Sequence, residues 1–184
     1  MISTPARPVR VAGEIPDRVL LIGMMGAGKT TIGRALSDLI GWPYYDNDQL
    51  LARAVGKDTR RVQEEDGVAA LRRAESAALS VALDEGGPLI AGVAGGIVTD
   101  PLDLDRLHRG GFVVWLRADL ATLAARVEGT DRPWLGESPE VALRLLYAGR
   151  EWLYAEASTL IVDQRDTTPD LIARQIAAAL LEAS

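Results

Sequence analysis

The chain has 184 residues, with 20 lysines and arginines against 26 acids for a formal charge of −6, and it contains no cysteine. That balance argues against an extended nucleic-acid surface, and the lack of thiols excludes disulfides and thiolate metal sites. The length suits a single domain with a full core, and no apolar stretch approaches the ~20 residues of a membrane span.

Residues 1–16 hold Pro5, Pro8 and Pro16 without periodicity and read as a loosely ordered tail ahead of one domain over 17–184. Arg7 and Arg10 are not followed by an apolar stretch, so this segment does not read as a secretory signal. The apolar run Val19-Leu20-Leu21-Ile22 then predicts a buried strand, and it leads into Gly23-Met24-Met25-Gly26-Ala27-Gly28-Lys29-Thr30. This is a complete G-x-x-x-x-G-K-[ST] phosphate loop in the context the mechanism needs. Glycines let backbone N–H groups close around a phosphate, and the following helix directs its positive end at the same anion. Lys29 would reach the β and γ phosphates, and the Thr30 hydroxyl would ligate Mg²⁺.

A helix is expected over Thr30–Leu39, with Ile32, Leu36 and Leu39 on one face, stopped by Gly41 and Pro43. Tyr44-Tyr45 forms a brief second strand, and Gln49–Ala54 looks helical. Thr59 can cap a helix through Glu65 that breaks at Asp66-Gly67, with a further helix over Val68–Leu83. Pro88–Ala91 is the third strand and Phe112–Leu116 the fourth, followed by a helix over Asp119–Val127. Ser138-Pro139-Glu140 starts a helix expected to run to about Ala157. Thr159–Val162 is the last strand, and Pro169 opens a terminal helix. Five short apolar strands alternating with helices imply an α/β fold whose parallel sheet is covered on both faces, with ligands at the carboxyl ends of the strands.

Chemistry-bearing residues collect at those ends. Asp46 and Asp48 are two apart, so persisting strand geometry would point both carboxylates to one side, although Asp-Asn-Asp is also ordinary turn chemistry. Arg72 and Glu75 are three apart in a helix, a spacing that holds a guanidinium in a fixed direction or makes a surface ion pair. Arg132 lies between Gly129 and Gly136 in a segment, about 128–137, that can move as a lid. His108, the only histidine, reads as a surface residue, and Trp115 and Trp152 as core or pocket wall.

From about Arg18 onward the chain resembles the shikimate kinase family. The resemblance rests on Gly23 to Thr31, the D-x-D of Asp46 and Asp48, the block Leu71-Arg72-Arg73-Ala74-Glu75, the glycine motif Ala94-Gly95-Gly96, Arg132-Pro133, and Arg150-Glu151-Trp152-Leu153-Tyr154. It implies a P-loop fold of the nucleoside monophosphate kinase type and Mg²⁺-dependent transfer of the ATP γ-phosphoryl group to the 3-hydroxyl of shikimate, in a cytoplasmic monomer. ATP would be held by Gly26, Ala27, Gly28, Lys29, Thr30 and Thr31, with Arg126 and Pro169 around the adenine. Thr30 and Asp46 would support the metal. Asp48, Arg72, Gly95, Gly96 and Arg150 would hold shikimate, the arginines clamping its carboxylate, and Lys29, Asp48 and Arg132 would carry the chemistry.

The chain departs from the family pattern at several places. The first glycine of G-G-G is Ala94, the small hydroxyl residue two positions earlier is Gly92, the phenylalanine is Leu71, the acid of a G-E pair is Val68, and the proline of R-x-P-L-Y is Trp152. Ala94 and Trp152 are expected to face or flank the substrate pocket. A kinase for another small acid or polyol, such as gluconate, would keep Asp48 but need no two-arginine clamp. A nucleotide-binding regulatory relative would turn ATP over slowly whatever acid is present.

Overall fold

The computed structural model describes residues 16–128 and 139–183. Most of the tail and of the expected lid, Arg132 included, lies outside the described residues. The five strands are β1 (Arg18–Ile22), β2 (Tyr44–Tyr45), β3 (Leu89–Gly92), β4 (Phe112–Arg117) and β5 (Leu160–Asp163), all parallel in the order β2-β3-β1-β4-β5. Val19 pairs with Ile90 on one side and Phe112 on the other, so β1 is central. Its Val19–Ile22 run is fully buried, as are the residues of β3, because helices cover both faces. The strand order reverses around β1, which opens a crevice at the carboxyl ends of β1 and β3.

The helices are α1 (Lys29–Ile40), α2 (Asn47–Val55), α3 (Thr59–Arg61), α4 (Gly67–Asp84), α5 (Pro101–Gly110), α6 (Leu120–Val127), α7 (Pro139–Ala148), α8 (Glu151–Ala157) and α9 (Pro169–Glu182). Among the described residues, no helix is long and apolar enough to cross a membrane. The expected parallel five-stranded α/β architecture is the one observed, while several local features differ.

Leu39 is not part of the buried face of α1, which Ile32, Gly33 and Leu36 make alone. Asp58, not Thr59, caps α3 by accepting from the Arg61 N–H at 2.8 Å, and the chain runs on through a π-helical turn, Val62–Asp66, before it breaks at Gly67 as expected. Helix α5 was not anticipated, although its signals are present in the sequence. The Asp100 carboxylate accepts from Leu102 and Asp103 N–H groups, and Pro101 occupies the first turn. His108 on α5 lies 2.7 Å from the Glu156 carbonyl through Nε2.

The helix expected to continue to Ala157 is interrupted at Gly149-Arg150. Arg150 leaves helical geometry with φ −126°, while its N–H still reaches back to the Tyr147 carbonyl at 2.9 Å. Glycine is a weak helix former, and the interruption puts Arg150 at the head of α8. Below it, Tyr154 is fully buried and stacks on Trp115 with centroids 5.7 Å apart, a pair worth about 0.5–1.5 kcal/mol beyond its area. Trp115 is core, as expected. Trp152 is not core, since it is 63% exposed on α8.

Candidate active site

The phosphate loop leaves the buried end of β1 and feeds α1. Gly26 and Gly28 take left-handed backbone angles, φ 78° and 79°, that other residues reach only with strain. The Ala27 N–H closes the turn on the Met24 carbonyl at 3.1 Å. Lys29 opens α1 and bends back across the loop, its Nζ donating to the carbonyls of Gly23 at 2.9 Å and Met24 at 3.2 Å. The ammonium therefore stands beside the helix N-terminus, where an anionic phosphate is favoured twice. Thr30 and Thr31 follow it in the exposed first turn.

Two further elements brace this loop. Arg126 on α6 donates to the Gly26 carbonyl at 3.1 Å and to Gln164 Oε1 at 3.0 Å, while Gln164 Nε2 donates to the Ala27 carbonyl at 2.8 Å. Ala118, Asp119, Thr122, Arg126, Gln164, Arg165 and Asp166 line an open pocket next to them. Arg126 thus lies where a base could stack beside the phosphates. Pro169 is at the first position of α9, exposed, just beyond Asp166. Sequence reasoning did not single out Gln164, and no motif marks it; only the β4–β5 pairing carries it to the loop.

At the end of β2 the strand does not persist through Asp46 and Asp48. Asp46 is the N-cap of α2, accepting from the Gln49 N–H at 2.9 Å while the Gln49 side chain accepts from its own N–H at 3.0 Å. Asp48 consequently sits in the first helical turn, where its carboxylate accepts from the Thr59 hydroxyl. The two carboxylates are held by helix geometry and not by a shared strand face. Both still act on the Tyr44 phenol between them and the loop.

The other wall is built from α4, α8 and the loop after β3. Arg72 Nη1 pairs with Glu75 Oε2 at 2.5 Å; the guanidinium is 44% exposed while the carboxylate is almost fully buried. Burial pushes the Glu75 carboxyl up, and Arg72 and then Arg150 draw it back. The same two arginines pull on Tyr154, whose phenol burial raises to about 12. Arg150 and Arg72 therefore converge on one buried acid and one buried phenol. Among the described residues Arg73, next to Arg72 on α4, has no acid three or four positions away and makes no such pair. Tyr154 Oη donates to the Gly95 carbonyl at 2.6 Å, which fixes that loop, and a Cβ on Gly96 would lie 2.0 Å from Arg72 Nη1. Gly95 and Gly96 thus present backbone directly beside the arginine pair, with Ala94 buried behind them.

Among the described residues, no group of three or more acids or histidines could hold a metal ion. The donors near the loop are hard oxygens, Thr30 and Asp46, together with a buried Tyr44 hydroxyl that has no hydrogen-bond partner. Such a sparse oxygen set fits Mg²⁺, which keeps several waters and takes few protein ligands beside substrate phosphates.

A phosphate loop at the switch point of a small parallel sheet, facing a pair of arginines across a glycine turn, defines an ATP-dependent small-molecule kinase. The shikimate kinase family model matches residues 25–181, and the chain belongs to that family. It is similar to the shikimate kinase of Ruegeria pomeroyi, 35% identical over 92% of this chain and 87% of that protein. Among solved structures it is similar to the shikimate kinase from Acinetobacter baumannii in complex with shikimate, with a TM-score of 0.83 at 29% identity over 91% of this chain and 94% of that one. A gluconokinase from Sinorhizobium meliloti, at 18% identity, TM-score 0.60 and coverage of 92% and 94%, shares the fold.

Proposed function

We propose that this protein transfers the γ-phosphoryl group of ATP to the 3-hydroxyl of shikimate, giving shikimate 3-phosphate and ADP on the route to chorismate, as a monomer in the cytoplasm. The observation that carries the reading is the convergence of Arg72 and Arg150 beside Gly95–Gly96, across from a complete phosphate loop. Gluconate too carries a carboxylate, so the family match, and not charge alone, favours shikimate as the partner of the braced two-arginine pair. Shikimate, with one carboxylate and neighbouring hydroxyls, uses it to fix which hydroxyl meets the phosphate.

The chemistry is positioning and charge stabilisation. Gly26 to Thr31 hold the ATP phosphates, and Arg126 and Pro169 flank the adenine. Thr30 and Asp46 would hold Mg²⁺, which supplies charge neutralisation on the phosphates when bound. Lys29 swings from the Gly23 and Met24 carbonyls onto the transferring group. Asp48, steadied by Thr59, orients the acceptor hydroxyl and takes its proton. Arg72 and Arg150 clamp the carboxylate in the bidentate manner that suits guanidinium, and Gly95 and Gly96 offer backbone N–H groups to the ring hydroxyls. Arg132, which lies outside the described residues, would add its charge to the transferring phosphate.

A coupled ADP-release assay across shikimate, quinate, gluconate and nucleoside monophosphates tests the reading. Shikimate should give turnover well above the others. Slow ATP turnover indifferent to all four would instead favour a nucleotide-binding regulatory protein.

A further inference from the structure

Tyr44 occupies a slot cut by two glycines. A Cβ on Gly33 of α1 would lie 2.2 Å from Tyr44 Cε2, and a Cβ on Gly92 at the end of β3 would lie 2.6 Å from Tyr44 Oη. That same point is 3.6 Å from the Lys29 Cβ, so the slot ends against the first turn of α1. Both glycines belong to elements that frame the phosphate loop, and together they admit one phenol whose hydroxyl arrives on the Thr30 side.

The hydroxyl is buried and has no hydrogen-bond partner, a cost that phenylalanine in the same slot would not carry. Burial pushes the phenol up to about 12; Thr30 and Arg34 draw it down, and Asp46 and Asp48 push it further up. It is therefore a neutral O–H at working pH, able to donate, with Thr30 and both acids around it. Position 92, where the family pattern has a small hydroxyl residue, is glycine here, and the Tyr44 hydroxyl fills the space such a side chain would need.

We propose that Tyr44 is a positioning residue of the metal–nucleotide site, its hydroxyl standing in for the missing one at position 92 and pairing with Thr30 and the metal's water shell once Mg²⁺ and nucleotide bind. Thr30 already draws on the phenol, and the loaded state adds the metal's water shell. This rests on the ATP and Mg²⁺ reading of the loop, and it adds a residue and a paired substitution that the loop motif does not contain.

The test is ADP binding by calorimetry across a Mg²⁺ series, with thermal unfolding of each ligand-free protein, for the parent, Tyr44→Phe, Gly92→Ser and the double variant. Tyr44→Phe should be at least as heat-stable as the parent and bind ADP equally without metal, yet need roughly 3- to 10-fold more Mg²⁺ for half its enhancement, the worth of one hydrogen bond. Gly92→Ser should melt lower, because its Cβ meets Oη. In the double variant the nearest Tyr44-derived atom at that point is the ring Cζ, 3.5 Å away, so both the melting temperature and the Mg²⁺ requirement should recover. An unchanged Mg²⁺ requirement in Tyr44→Phe, or a double variant no better than Tyr44→Phe, would overturn the assignment. A parent whose ADP binding ignores Mg²⁺ would overturn the metal reading beneath it.

Discussion

The nucleotide end of the site and the acceptor end are built by different means. Around the phosphates the working parts are backbone: a loop with left-handed Gly26 and Gly28, the N-terminus of α1, and carbonyls braced by Arg126 and Gln164. At the acceptor end they are side chains brought from three separate elements, Arg72 on α4, Arg150 at the head of α8, and the Gly95–Gly96 turn pinned by Tyr154. Every departure from the family pattern falls outside the loop motif, at positions 68, 71, 92, 94 and 152. Backbone-built recognition depends on a short contiguous string, whereas side-chain recognition can be rebuilt from several places in the chain. The two ends meet at one point, since a Cβ on Gly95 would lie 2.9 Å from the Gly23 carbonyl that also accepts from Lys29.

The sharpest way to break this contrast is to remove the charge that the backbone loop serves. Lys29→Ala should leave the melting temperature near the parent value, because Lys29 packs on no core side chain through its ammonium, and should lower kcat by at least ~10³. Near-normal turnover would show that the loop does not handle the transferring phosphate.

At the other end, Arg72→Ala or Arg150→Ala should weaken shikimate binding by roughly 2–4 kcal/mol with little change in ATP affinity, since a desolvated carboxylate loses a charged partner. Calorimetry with each ligand separates the two. Equal losses for ATP and shikimate would mean that the ends are not distinct.

A pair of glycine substitutions sharpens the boundary between them. Gly96→Ala drives a methyl into the Arg72 guanidinium, a flexible group that can swing away, so KM for shikimate should rise on the order of tenfold with stability held. Gly95→Ala presses on the Gly23 carbonyl, which is backbone, so it should cost about 1–3 kcal/mol of stability and impair ATP binding as well. If both behave alike, the turn after β3 is not the junction.

The smallest effect is expected at an exposed ion pair on the rim of the nucleotide pocket. Asp163 ends β5 and pairs with Arg165 at 3.0 Å and across the sheet with Arg117 at 2.9 Å, which hold its carboxyl well below the usual range, Arg165 most. A carboxyl lowered in the folded state stabilises above its ordinary pKa and loses that contribution as pH falls through the folded value. Asp163→Asn should therefore cost about 0.5–1 kcal/mol at neutral pH, given the exposure of the pair, and the difference from the parent should shrink in acid below about pH 4. Thermal unfolding of both proteins over that range reads it.

What could be read from sequence follows the same division. The phosphate loop, the apolar runs that become strands and the Arg72–Glu75 spacing are local, and contiguous residues carry them. Gln164 and Tyr44 are not legible that way, because one reaches the loop only through the β4–β5 pairing and the other only through gaps left by Gly33 and Gly92. The Asp46–Asp48 geometry failed for a physical reason: Asp46 binds the Gln49 N–H and turns the chain into a helix before strand alternation can apply. The α7–α8 break was missed because Ser138-Pro139-Glu140 signals a start strongly, while a single glycine at 149 signals a stop weakly. The Asp100-Pro101 start of α5 was legible and overlooked.

The central claim is that a paired-arginine clamp reads the acceptor's carboxylate, and the most direct measurement compares shikimate with its methyl ester in the parent and in the Arg72→Ala and Arg150→Ala proteins. The ester should lose roughly 30- to 1,000-fold in kcat/KM against the parent, and the gap between acid and ester should nearly close in either variant. An ester used as well as the acid by the parent enzyme would contradict the account.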